Sequence, residues 1–139
     1  MKTITPYLLR FTLTAILLTI VFRYVLSYGI AHFATAIIVL AAGTYFVAMF
    51  ASGWYFGKKD AEYLPILDIG FRFHFSTYLI HNSISLLWIG LGFASKYETI
   101  ELPLMVSLFW GIGLLLHFIF FLRERKNAIN QLDKEELFD

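Results

Sequence analysis

The chain has no cysteine among its 139 residues, which excludes disulfides, thiolate metal sites and cysteine nucleophiles together. Charge is scarce as well: 15% of residues are Asp, Glu, Lys or Arg, against about 25% in an ordinary soluble domain. The net charge is +1, and no basic face of the kind that tracks phosphates stands out, so nucleic acid is not an expected partner. Phosphate-cradling glycine loops, a nucleophile elbow and a metalloprotease His-Glu pair are all missing. The carboxylates lie outside the apolar runs: Asp60, Glu62 and Asp68 in one polar segment, Glu98 and Glu101 in another, the rest in the C-terminal tail. Asp68 stands four residues before Arg72 and reads as an ion pair or helix start. Serines near histidines (Ser76, Ser83, Ser85) read as helix-packing hydroxyls, and an enzyme is not expected.

Apolar residues fill the chain instead. They make up 59% of it, aromatics 19%, and the mean hydropathy is +0.71. A helix crosses a bilayer with about 20 mostly apolar residues, and four runs qualify, at about residues 7–28, 31–53, 73–93 and 102–122. The expected fold is an all-α membrane protein: four transmembrane helices in one domain over 1–122, paired as antiparallel hairpins (about 7–53 and 73–122), followed by a polar tail over 123–139. The first run lacks the short apolar core and small-residue cleavage site of a signal peptide, and reads as a retained helix.

Basic residues set the expected orientation. With both termini cytoplasmic, Lys2, Arg10, Lys58, Lys59, Arg72, Arg123, Arg125, Lys126 and Lys134 fall on the inner side, leaving Arg23 and Lys96 outside, as the positive-inside rule requires. The outer turns are then a Ser27-Tyr28-Gly29 bend and a loop over about 94–101, with Pro103 in the following first helical turn, where its missing N–H is harmless. The inner loop spans about 54–70. Arg10 and Arg23 lie within about two turns of a run's end, so snorkelling to the interfaces is the simpler expectation, with a charged pore or a partner carboxylate as the alternative. Thr12, Thr14 and Thr19 read as interhelical or back-bonded hydroxyls. In the tail the last helix is expected to continue for a turn or two. Asp133 and Glu136 resemble a capping pair before a short turn over 134–138. A solvated tail is the simpler reading, and Leu137 and Phe138 leave room for a cytoplasmic protein partner.

The informative chemistry lies in the third run. His74, Tyr78, His81, Asn82 and Ser85 follow spacings of four, three, one and three, which sets them along one side of a helix. The fourth run answers with Trp110, Gly113 and His117, while Gly111 and Gly113 are small enough to admit a neighbouring backbone. Ala48 with Ser52, and Gly90 with Ala94, form further small-residue packing faces. Opposite helix directions bring His74 and His117 to one depth, with His81 about 10 Å deeper by helical rise and His32 near the outer end of the second helix. A four-histidine metal cage is not expected. Three readings of the stripe stay open: neutral imidazoles, Tyr78 and Asn82 hydrogen-bonding across the hairpin; b-type haem or metal ligation by His74 and His117; and a proton relay through His74 and His81.

The stretch Phe73-His74-Phe75-Ser76-Thr77-Tyr78-Leu79-Ile80-His81-Asn82, with Phe109-Trp110-Gly111-Ile112-Gly113-Leu114 and His117, resembles the two-transmembrane-helix (2TM) domain family of bacteria, known chiefly from the Bacteroidetes. The resemblance covers about residues 70–126. It rests on a His-x3-Tyr-x3-Asn element and a Trp-Gly-x-Gly-x3-His element. It implies a multi-pass protein of the bacterial inner membrane, singles out His74, Tyr78, Asn82, Trp110, Gly111, Gly113 and His117, and brings no enzymatic activity. Family members stand alone or are fused to signalling modules, whereas this chain has an extra N-terminal hairpin and no fused soluble domain. The expected function is a non-enzymatic, homo-oligomerising sensor, anchor or partner-binding module. The alternatives are a small oligomeric channel or membrane-perturbing pore, and a bis-histidine haem protein.

Overall fold

The computed structural model describes the backbone of residues 4–61 and 66–135 and the side chains of 4–61 and 69–123. Its elements are four helices: α1 (Pro6–Ala31), α2 (Thr35–Asp60), α3 (Ile66–Gly90) and α4 (Glu101–Glu135). Among the described residues, three are long and apolar enough to cross a membrane: α1, α2 and the Glu101–Arg123 part of α4. α3 is not one of these, because Arg72, His74, His81 and Asn82 dilute its apolar run.

Helices outlast the apolar runs that announced them, since hydropathy marks where lipid contact ends and backbone hydrogen bonding continues past that point. α2 runs on through Lys58, Lys59 and Asp60, where the two lysines complement the negative end of the helix dipole, and α3 already begins at Ile66. The long inner loop expected over 54–70 is therefore mostly helix. α4 passes Arg123 and stays helical to Glu135, about three turns further, rather than one or two. No separate turn starts at Lys134, and residues 136–139 lie outside the described residues.

The bend expected at Ser27-Tyr28-Gly29 is also helical. Gly29 serves instead for close approach: a Cβ there would lie 3.0 Å from Cγ1 of Ile38 in α2. The chain reverses three residues later in a Schellman turn, with Phe33 N donating to Ile30 O at 3.2 Å and Ala34 N to Gly29 O at 2.9 Å. Phe33 takes the left-handed conformation at φ 52°, which costs a non-glycine residue about 1–2 kcal/mol. Its ring rests on Tyr97, centroids 4.8 Å apart. His32 sits in this turn, not in α2, with Nδ1 2.9 Å from the carbonyl of Tyr28. α3 ends in the same motif, with Gly92 at φ 78° supplying the left-handed residue. Pro103 falls in the first turn of α4, as expected.

α1 is the helix the others gather on. It packs against α2 and α3, α3 also meets α4, and the α2–α3 contact is thin. Among the described residues α4 comes within 8 Å, Cα to Cα, of neither α1 nor α2. Later residues of α1 meet earlier ones of α2: Phe11 beside Gly53, Thr19 against Tyr45, Gly29 against Ile38. α1 and α3 keep step instead, through Phe11 with Phe73 (ring centroids 4.7 Å) and Ser27 with Trp88. The buried stripe of α1 is Leu8, Phe11, Ala15, Thr19, Arg23 and Ser27, a residue every three or four. Its first half is apolar and joins Met49, Ile69 and Phe73 in the core. At the near end Thr5 caps α1, accepting from Leu8 N at 3.0 Å, and donates to buried Asp60 at 2.6 Å, which ties the start of α1 to the end of α2.

Candidate functional site

The second half of the α1 stripe is polar, and each of its side chains reaches another element. Thr19 donates to the carbonyl of Ala15 (2.7 Å), and its hydroxyl lies 3.0 Å from the Tyr45 hydroxyl of α2. That hydroxyl is in turn 3.1 Å from Nδ1 of His81 in α3. One turn on, Arg23 donates through Nη2 to Oε2 of Glu98 at 2.5 Å. Glu98 belongs to the α3–α4 loop, and its other oxygen accepts from Ser95 N at 3.0 Å. A further turn on, Ser27 accepts the indole N–H of Trp88 at 3.0 Å. Phe22 shields the seam, stacked on Tyr45 with centroids 4.4 Å apart.

Arg23 therefore does not snorkel. Its side chain is 5% exposed and that of Glu98 7%, so the pair is sealed between α1, α3 and the loop. The partner carboxylate comes from a residue 75 positions away, beyond the reach of helical spacing. Arg23 Nε and Ser85 Oγ are buried with no hydrogen-bond partner among the described residues. Arg10 is exposed and lies over the Tyr7 ring, 5.7 Å from its centroid, as expected for a side chain at a helix end. Thr14 bonds back to the carbonyl of Arg10.

The five-residue stripe of α3 divides. His74, Tyr78 and His81 face α4: His74 and His117 approach to 5.5 Å between ring centroids, as expected, and Tyr78 and His81 both contact Trp110. The Tyr78 hydroxyl donates to the carbonyl of Ser107 at 3.3 Å and lies 3.2 Å from its hydroxyl. Asn82 and Ser85 are buried, and Asn82 bonds within its own helix, to the carbonyl of Tyr78 at 2.8 Å. His81 finds its hydrogen bond in α2, not in the facing α4, so among the described residues hydrogen bonding across α3 and α4 rests on Tyr78. At Gly111 the Tyr78 hydroxyl lies 3.1 Å from a would-be Cβ, so a side chain and not a backbone fills that space. Gly113 and Gly90 meet nothing within 4 Å. Ala94 is half-buried.

A cleft of about 520 Å³ opens over α3 between α2 and α4, lined among others by Tyr45, Met49, Phe73, His74, Thr77 and Trp110. Its volume lies within the roughly 300–1,000 Å³ of small-molecule pockets. No three His, Asp or Glu side chains converge as a metal site among the described residues. His74 and His117 are the one pair of imidazoles side by side there.

Sequence reasoning placed the polar site on α3 and α4 and missed the seam on α1. The signal was present, since Thr19, Arg23 and Ser27 recur every fourth residue and continue the apolar series Phe11, Ala15. No family model matches the chain, and neither a curated protein nor a solved structure is detectably similar to it.

Proposed function

We propose that the chain is a non-enzymatic multi-pass protein of the bacterial inner membrane, acting as an oligomerising sensor, anchor or partner-binding module. Its four helices all span the bilayer as two antiparallel hairpins, and both termini face the cytoplasm. The observation that carries the reading is the use of the deepest polar groups inside one chain. A pore built from several copies needs polar side chains on a shared axis. Here Arg23 is matched by Glu98, and His81 by Tyr45. α4, by contrast, has none of its span buried within the chain, which leaves most of its surface for lipid, a partner or a second copy.

Membership of the 2TM domain family belongs to this reading. In its favour, His74, Tyr78, Trp110, Gly111 and His117 all lie along the α3–α4 contact, although Asn82 bonds within α3 and a Cβ at Gly113 would meet nothing within 4 Å among the described residues.

The deciding experiment combines the oligomer mass of the full chain in mild detergent with ion flux through vesicles containing it. A defined oligomer without flux is expected. Flux that disappears on His74→Leu or His117→Leu would move the reading to the alternative, a small channel. Orientation is tested by Ser95→Cys, which should react with an impermeant label applied from outside the cell.

A further inference from the structure

Two of the four histidines have a structural use: His32 bonds the carbonyl of Tyr28 and His81 bonds Tyr45. His74 and His117 make no hydrogen bond among the described residues and are both exposed, on helices whose surroundings are apolar. A neutral imidazole keeps one ring nitrogen as an acceptor, so the pair can take a ligand from outside the chain.

We propose that His74 and His117 form half of a binding site for a divalent transition-metal ion of the zinc class, completed by the same two residues of a second copy. The proposal rests on the oligomeric reading above. Zinc holds imidazole nitrogen at about 2.0–2.1 Å in tetrahedral geometry, so two imidazoles on one ion have ring centres roughly 5 Å apart. The observed separation is 5.5 Å, with the rings tilted by 54° and not stacked. Nε2 of His117 faces Gly70, where a Cβ would stand 3.9 Å away, so no side chain of that residue covers the nitrogen. Among the described residues no third donor joins them, since no group of three His, Asp or Glu forms there. Two donors from each of two copies satisfy a four-coordinate ion. A twofold axis brings one patch against its own copy, which is how symmetric dimers are built. The surrounding face of α4 is free to meet it, with Leu115, Leu116 and Phe118 all exposed. His74 is two residues from Arg72 and His117 six from Arg123, which keeps the pair within about 10 Å of the charged helix ends by helical rise and accessible to an ion from water.

The test uses the full chain without an affinity tag, purified in mild detergent, stripped with chelator and titrated with zinc or with cobalt(II). Expected are one ion per two chains, the visible absorption of tetrahedral cobalt, and a dimer mass on adding metal. His74→Ala and His117→Ala should each weaken binding at least tenfold, whereas His32→Ala should leave it unchanged. Gly70→Leu keeps both imidazoles but fills the space beside Nε2, and should weaken binding with the helical circular dichroism intact. Absence of binding, one ion per chain, binding that survives both histidine substitutions, or a haem Soret band lost on His74→Ala would each overturn the proposal. A dimer that forms equally in chelator and binds no metal removes the metal site and leaves the oligomeric reading standing. A monomer under all conditions removes both.

Discussion

α1 and the membrane-length part of α4 look alike as sequence, yet 28% of the α1 span is buried within the chain and none of the α4 span. The helix with an arginine, a threonine and a serine on its inner stripe is the central one. The helix with the cleaner apolar run packs, among the described residues, against α3 and no other helix. Lipid tails are as apolar as leucine, so apolarity does not draw one membrane helix to another, whereas close packing and interhelical hydrogen bonds do. The polar residues of α1 are what fasten it.

The sharpest way to break that contrast is to remove one half of the buried ion pair. Glu98→Leu leaves Arg23 charged and enclosed, and unfolding in detergent should show a loss of about 3–5 kcal/mol. Pairing it with Arg23→Met should recover most of the loss, because an apolar pair of similar size avoids the desolvation penalty. A single substitution that costs as little as an exposed one would show that the seam is open to water.

Glycine offers a second comparison. Gly29→Leu drives a side chain into Ile38, where a Cβ alone would stand at 3.0 Å, and overpacking of this kind costs about 1–3 kcal/mol. At Gly113 a Cβ would meet nothing within 4 Å among the described residues, and Gly113→Ala should stay within about 0.5 kcal/mol in the monomer. If its effect grows with protein concentration, Gly113 faces another copy.

Smaller effects are expected along the hydrogen bonds of the seam. Tyr45→Phe removes contacts with both Thr19 and His81, and His81→Leu removes one, each bond contributing about 0.6 kcal/mol on average between membrane helices. A loss of several kcal/mol from His81→Leu would make the seam cooperative. The smallest change belongs to α4: Leu108→Ala, at a residue 63% exposed, should stay within about 0.5 kcal/mol.

The four helices were legible because long, mostly apolar runs leave few other structures possible in a bilayer, although α3 is not among the three described helices apolar enough to cross a membrane. Their ends were not, because Lys58, Lys59 and the residues after Arg123 are polar yet good helix formers, and Gly29 looks like a turn residue while serving as a contact point. The approach of His74 to His117 was readable from helix direction and depth alone. Asn82 and Ser85 were not assignable, since residues a few positions apart on α3 can turn to α1 or to α4 with equal regularity of spacing.

Composition and spacing by themselves determined the helical class of the protein and the number of its helices, since both follow from local periodicity and hydrogen-bonding need. The choice of partners belonged to the tertiary structure. Arg23 with Glu98 and Thr19 with Tyr45 and His81 join segments tens of residues apart, and the same pattern of residues is compatible with several helix arrangements until packing selects one. α1 became the centre for that reason: its stripe can be buried only where α2, α3 and the α3–α4 loop each bring a partner to it.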